Sequence, residues 1–434
     1  MSSILDLIGS TPLIEVTRID CGPCRLFLKL ESANPSGSIK DRPARTMIEA
    51  AETEGTLKPG GTIVEATAGN TGLGLALVGG RMGYRTLLVV PDKMAREKVL
   101  HAKAMGAKVV ITRSDVGKGH PDYYQDLAQS IAQRTPNAVF INQFANPANP
   151  LAHEATTGPE ILHQMEGKLD AVVVGVGSGG TLTGVGRFLR RASPQTQMIL
   201  ADPKGSVLAS LIETGTMGQA GSWAVEGIGE DFVPPNADLT LVQQAFSIPD
   251  AESFATAREL LLREGVLAGS SSGTLLAAAL RYARAQTLPK RVVTLVCDSG
   301  AKYLSKVFNP TFLAQEGWTH QHGHGTVRDV VVTSYSEGTA VIVRPQDPLH
   351  RFRANALFRC LAASRRRRKR TCRWTRRRER CARRASHRER FQQGVCAAGK
   401  GRHGDAARDD LGRCADCRSR AAVSQGLCRH GHGW

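Results

Sequence analysis

The sequence predicts an α/β protein: parallel-type sheets flanked by helices and arranged as two subdomains. Three observations carry this. Between Ile4 and about Pro310, short β-rich runs alternate with Ala-, Leu-, Arg- and Glu-rich stretches of helical length. Glycine-rich turns stand where runs of the first kind give way to the second. The hydrophobic content of 41% is ordinary for a globular chain that buries a core. Strands are expected at 26–30, 62–65, 86–90, 108–111, 171–176, 198–201 and 292–297. Helices are expected at 44–54, 72–82, 96–105, 123–134 and 253–264. About 300 residues suffice for two such sheets with a ligand in the cleft between them.

Charge divides the chain sharply. Residues 351–434 hold 23 Arg, 2 Lys and 6 acidic residues, a net of +19. Of the 57 basic and 39 acidic residues in the chain, 32 and 33 remain in 1–350, a net of −1. Seven of ten cysteines also lie beyond residue 351, so the body is not a disulfide scaffold. No run of about 18 apolar residues argues for a membrane span. Met1 to Leu7 lacks a basic region followed by an apolar run, so no secretory signal is expected and the cytoplasm is the default compartment.

Four segments carry chemistry. In NPSGSIKDR (34–42), Lys40 follows a Pro/Gly/Ser turn and opens a helix near Asp41. An imine-forming lysine must be deprotonated, and the dipole of a helix N-terminus disfavours its ammonium form. A surface lysine beside an N-cap aspartate fits the same residues. In EATAGNTGLGLAL (65–77), a strand, a polar turn and a helix present N–H groups and hydroxyls to an anion such as an α-carboxylate. A turn made only for packing is the alternative. In VGVGSGGTLTGVGRFL (174–189), small residues before a helix suit a phosphate, although no Walker or dinucleotide pattern is present. In VLAGSSSGTLLAAAL (266–280), a serine can meet a ring nitrogen, or Ser271 or Ser272 can simply cap the helix.

Taken in order, and with INQFANPANPLAHEATTGPEIL at 141–162, these segments resemble the fold-type II pyridoxal-phosphate enzymes of the cystathionine β-synthase and cysteine synthase family. The resemblance runs from DLIGSTPL at Asp6 to about Gly317. It implies pyridoxal 5'-phosphate as cofactor, with Lys40 as the Schiff-base lysine. Asn70 would meet the cofactor's 3′ oxygen, Gly177, Ser178, Gly179, Gly180 and Thr181 its phosphate, and Ser271 its pyridine nitrogen. Thr67, Ala68, Gly69, Thr71 and Gln143 would hold the substrate carboxylate. Ala68 stands where the family commonly has serine. The implied partners are a small amino acid and a thiol or sulfide, and the implied assembly is a homodimer; no metal is expected. Lys40 would take the α-proton and return it after the β-substituent has been exchanged. DPKGSVL (202–208), VEGIGEDFVP (225–234) and CDSGAKYLSKVFN (297–309) look more like the cystathionine branch, with Glu230 where some members have tyrosine. That favours L-serine and homocysteine as substrates, with O-acetylserine and sulfide as the alternative.

The expected organisation is a catalytic domain at 1–315, a linker at 316–325, the start of a truncated regulatory module of the CBS type at 326–350, and an Arg-rich disordered tail at 351–434. Because the sequence opens directly on the catalytic segment, the haem-binding extension of animal members is not expected. A basic tail can bind nucleic acid. An Arg to Lys ratio of 23 to 2 with scattered Cys, Trp and His fits out-of-frame translation of a GC-rich gene better. Two further features are discounted. Cys21-Gly-Pro-Cys24 has redox spacing but sits in a turn before a strand. The histidines 320, 322 and 324 read as a polar linker.

Overall fold

The structure is a computed structural model that describes residues 3–67, 69–92 and 96–318. The module start at 326–350, the tail, the three linker histidines and Ala68 lie outside the described residues. The chain opens with an antiparallel pair, β1 (Leu13–Glu15) and β2 (Arg25–Lys29). Helix α1 (Asp41–Thr53) leads into a run of β3 (Thr62–Ala66), α2 (Asn70–Arg81), β4 (Arg85–Pro91), α3 (Arg96–Ala104), β5 (Lys108–Thr112), α4 (Tyr124–Arg134) and β6 (Ala138–Phe140). Helices α5 (Ala148–Ala152) and α6 (Gly158–Gln164), joined by a π-helical turn at His153–Thr157, bring the chain back. It continues through β7 (Ala171–Val174), α7 (Gly180–Ala192), β8 (Gln197–Pro203), α8 (Leu208–Thr214), β9 (Gln244–Ile248), α9 (Asp250–Glu264), α10 (Ser270–Arg284), β10 (Arg291–Leu295) and α11 (Pro310–Gln315).

Two sheets result, as the alternation predicts. The larger has the order β1-β2-β10-β7-β8-β9 and is parallel except for β1. The smaller, β5-β4-β3-β6, is wholly parallel. It is inserted between β2 and β7 of the larger one. Helices cover both faces, so the central strands read as unbroken apolar runs rather than alternating ones. All of β7 is buried, and so is all of β3. Ile63 of β3 faces a cluster with Met47, Leu75 and Val78, while its neighbour Val64 faces Ala128 and Val89. Each such aliphatic side chain withdrawn from water stabilises the fold by about 1.5–3 kcal/mol.

The departures from expectation have physical causes. The sequence gives no strand at β1, β6 or β9, and each of these is a sheet edge. Edge strands are short and half-exposed, so they lack a continuous apolar run. Helices α2 and α9 begin two or three residues earlier than expected, and α1 begins at Asp41, as the Lys40 turn implies, three residues before its periodic stretch. Their first turns hold Pro43, Gly72 or acidic residues, which look like helix breakers or loop residues. A first turn has no i−4 partner to lose, so such residues are tolerated there. At the other end of its strand, Gly175 and Val176 leave β7 to form the glycine loop.

Candidate active site

The strands of both sheets deliver their carboxyl ends to one cleft, where α/β folds place ligands. The turn after β3 carries Thr67, Gly69, Asn70 and Thr71; that after β6 carries Gln143. The turn after β7 carries Gly177, Ser178, Gly179, Gly180 and Thr181, and Cys297 follows β10. Lys40 comes from the turn after β2 and Ser271 from the start of α10. All twelve described candidates, everything except Ala68, line a single cavity of about 250 Å³.

Lys40 is the N-cap of α1. Its turn is locked from both sides. The Ser36 N–H donates to Asp41 Oδ2 at 2.6 Å, and the Ser36 hydroxyl donates to the same carboxylate. The Ile39 N–H donates to the Cys297 carbonyl at 2.9 Å. Gly37, at φ +76°, makes the tight bend that a side chain would strain. Burial holds the Lys40 amine below the ordinary lysine range, while the nearby Cys297, Glu230 and Asp298 pull it back upward. The fixed helix dipole acts in the same direction as burial.

Three helices point their N-termini at the cleft with glycine caps: Gly69 for α2, Gly179 for α7 and Gly269 for α10. None has a side chain satisfying its first-turn N–H groups, which leaves them for an anion. The serine cap expected for α10 is therefore wrong. A Cβ at Gly269 would lie 2.0 Å from Asp298 Oδ1, so only glycine fits the cap. The three serines that follow take separate tasks. Ser270 Oγ accepts the Glu226 N–H at 3.1 Å, and Ser272 Oγ accepts the Cys297 N–H at 3.0 Å. Ser271 is left to the cavity, within hydrogen-bonding reach of the Cys297 thiol.

The loop after β7 is a cradle that a Cβ would fill. A Cβ on Gly177 would lie 2.4 Å from the Gly227 carbonyl oxygen, and one on Gly180 2.0 Å from Asn149 Oδ1. Gly179 adopts φ +87°. Asn149 Nδ2 donates to Ser178 Oγ at 2.9 Å and to the Gln143 carbonyl at 2.7 Å, tying this loop to the one after β6. His153 reaches Thr181 Oγ1 at 3.3 Å and Thr157 Oγ1 at 2.9 Å. Burial, and then the charges of Lys40 and Arg42, hold His153 well below the usual histidine range, so it is neutral. Thr71 donates to Gln143 Oε1 at 2.6 Å, joining two of the expected carboxylate binders.

The polar supports of Asn70 escape sequence reasoning. Asn70 Nδ2 donates to Asp298 Oδ2 at 2.7 Å, and Lys302 Nζ donates to Asn70 Oδ1 at 2.7 Å. One charge at each end fixes the amide's orientation and leaves one N–H for another oxygen. Tyr303 donates to the same Asp298 oxygen at 2.6 Å. Cys297 is the other omission. Its thiol is pushed up to about 12, first by burial and then by the Asp298 charge, so it remains protonated. Only the segment resemblance of 297–309 signals these residues, since Asn70 lies 228 positions from Asp298 and 232 from Lys302.

These groups fit a pyridine ring bearing a phosphate and an aldehyde. An uncapped helix N-terminus with Cβ-free glycines suits the phosphate, a lysine held toward its neutral form suits the aldehyde, and a hydroxyl rather than a carboxylate suits the ring nitrogen. The chain belongs to the family described as pyridoxal-phosphate dependent enzyme, whose pattern matches residues 4–298. Within it, the chain belongs with the cystathionine β-synthases and cysteine synthases. It is 40% identical over 321 residues to cystathionine beta-synthase of Apis mellifera, covering 73% of this chain and 63% of that protein. It is also 40% identical over 301 residues to cysteine synthase A of Escherichia coli strain K12, covering 69% and 92%. The solved structure of O-ureido-L-serine synthase matches with a TM-score of 0.66 at 34% identity, covering 71% of this chain and 96% of that one. The chain thus spans less than two thirds of the length of several cystathionine beta-synthases that it matches. Among the described residues, no helix is long and apolar enough to cross a membrane.

Proposed function

We propose that the protein catalyses β-replacement on an amino acid, joining L-serine to homocysteine with release of water to give cystathionine. The observation that carries this reading is the convergence of Lys40, Asn70, the 177–181 loop and Ser271 on one cavity. The bound cofactor would supply an electron sink for the carbanion at the α-carbon. Lys40 Nζ, whose burial favours the uncharged amine, takes the α-proton and later returns it. Thr67, Gly69, Thr71 and Gln143 hold the substrate carboxylate, with the α2 N-terminus behind them. Gly177, Ser178, Gly179, Gly180 and Thr181 hold the phosphate. The Ser271 hydroxyl leaves the ring nitrogen largely unprotonated, which suffices when a leaving group departs promptly.

Serine and homocysteine are favoured because two of the three segments that look like the cystathionine branch line this cavity, through Glu226, Glu230 and Cys297, and the third, 202–208, holds the backbone of Glu230. Ser206 Oγ accepts the Glu230 N–H at 3.0 Å, and Lys306 Nζ donates to Glu226 Oε1 at 2.7 Å. Glu226 and Glu230 both line the cavity. Cysteine synthesis from O-acetylserine and sulfide is the second reading, supported by the near-complete coverage of cysteine synthase A. The unpaired thiols of Cys21, Cys24 and Cys297 accord with a reducing, cytoplasmic compartment. Parallel assays of serine plus homocysteine and O-acetylserine plus sulfide decide between the pairs; turnover of the second pair alone overturns the first reading. Lys40→Ala is expected to abolish both turnover and the imine absorbance band. Retained turnover with added thiol would remove Lys40 from its role.

A further inference from the structure

We infer that Glu230 is the acid that delivers a proton to the departing β-hydroxyl of serine, and the base that recovers one from the incoming thiol. The inference rests on the serine reading above.

The geometry comes first. Glu230 lines the same cavity as Lys40, close enough for their charges to act on each other. Its backbone is held at both ends: its N–H donates to Ser206 Oγ at 3.0 Å, and its carbonyl accepts the Ser206 hydroxyl at 3.0 Å and the Val207 N–H at 3.0 Å. The carboxyl itself forms no ion pair among the described residues, unlike Glu226 beside it, which takes Lys98 and Lys306. A carboxyl that is anchored through its backbone, unpaired and turned into the cleft is available to a ligand.

The surroundings set its protonation. The groups facing it are Lys40 at the start of α1, Asp202 in β8, the adjacent Asp231, and Tyr124 at the start of α4. Burial raises Glu230 to about 8; the charges of Asp231 and Asp202 add to this, and Lys40 opposes it. It is therefore mostly protonated at neutral pH. The chemistry needs such a group. Hydroxide is a poor leaving group, whereas acetate leaves unaided. As the Cβ–O bond breaks, oxygen takes its electron pair and the Glu230 proton and departs as water. The carboxylate left behind then takes the S–H proton as the C–S bond forms at the same carbon. Atoms and charges balance, and Glu230 returns to its starting state.

The test compares wild type and Glu230→Gln on serine and on O-acetylserine, each with homocysteine. The ratio of kcat/KM for serine to that for O-acetylserine should fall by about 100-fold or more in the variant. In wild type, kcat/KM for serine should decline above pH about 8 with a limb absent from the O-acetylserine profile. Glu230→Asp should recover part of the serine rate. Infrared difference spectra of the holoenzyme at pH 7 should show a protonated carboxyl band that is lost in Glu230→Gln. An unchanged ratio with a wild type active on serine overturns the acid role alone. A wild type inert toward serine but active on O-acetylserine overturns the serine reading, and the acid with it. Absence of the carboxyl band in wild type also overturns the inference.

Discussion

Glu65, near the end of β3, is almost fully buried just before the turn that carries Thr67, Gly69 and Thr71. Burial raises its carboxyl to about 7, although it accepts the N–H groups of Ala66 at 2.9 Å and Gln143 at 3.2 Å. Its folded value lies above its unfolded one of 4.5, so the sign is clear. Its contribution to stability is complete below pH 4.5 and is lost as pH rises toward about 7, by an amount on the order of 3 kcal/mol. Glu65→Gln, which cannot ionise, is expected to flatten that loss. Urea midpoints at pH 5 and pH 7.5 check it: a variant whose midpoint shifts as much as wild type between them would contradict the assignment. The same scale governs the glycine loop after β7. Gly177→Ala should weaken retention of pyridoxal phosphate at least tenfold, because the new methyl meets the Gly227 carbonyl at 2.4 Å. Dialysis followed by cofactor absorbance measures it.

At the scale of elements, glycine marks where backbones approach closely. A Cβ on Gly184 of α7 would lie 2.2 Å from the Pro150 carbonyl oxygen in α5 and 2.7 Å from the Glu154 nitrogen in the π-turn. Gly184→Ala should therefore force α7 away from α5 and cost roughly 1–3 kcal/mol or more. The matched control is Gly80, exposed in the last turns of α2, where a Cβ meets nothing within 4 Å. Gly80→Ala should stabilise by about 0.4–1 kcal/mol, since alanine loses less backbone freedom on folding. Chemical denaturation of the two variants should give shifts of opposite sign. Sequence spacing presents both positions as glycines inside helices; only the neighbour across the interface separates them.

At the scale of the whole molecule, a buried ionic network ties β2 of the larger sheet to α1, which packs on the smaller one, and to α6. Arg42 of α1 donates to Glu31 Oε2 at 2.8 Å and to Glu160 Oε1 at 2.7 Å. Lys29 of β2, with no exposed surface, donates to Glu160 Oε2 and to the Thr11 carbonyl, both at 2.7 Å. Burial alone would raise Glu160, but Arg42 and Lys29 hold it down at about 2. Two cations and two anions balance where the chain leaves the larger sheet for the smaller. Arg42→Met strands the Glu31 carboxylate, leaves Glu160 with Lys29 alone, and should cost about 3–5 kcal/mol. The loss, read as Tm, should change little between low and high salt because buried pairs are poorly screened.

The residue types and their local order made much legible: the central strands as unbroken apolar runs and the glycine turns at their ends, while the resemblance of the ordered segments grouped Lys40, Asn70, the 177–181 loop and Ser271 into one expected site. These features are local, since a buried strand or a glycine turn writes itself into a few consecutive residues. The tertiary structure decided the rest. It chose Gly269 over a serine as the α10 cap, because Asp298 occupies the space that a Cβ would need. It joined Asn70 to Asp298 and Lys302 across 228 and 232 positions, and brought Glu230 and Lys40 to one cavity. A long-range polar partner leaves no periodic trace in a sequence, because the packing of distant segments alone brings the two side chains together.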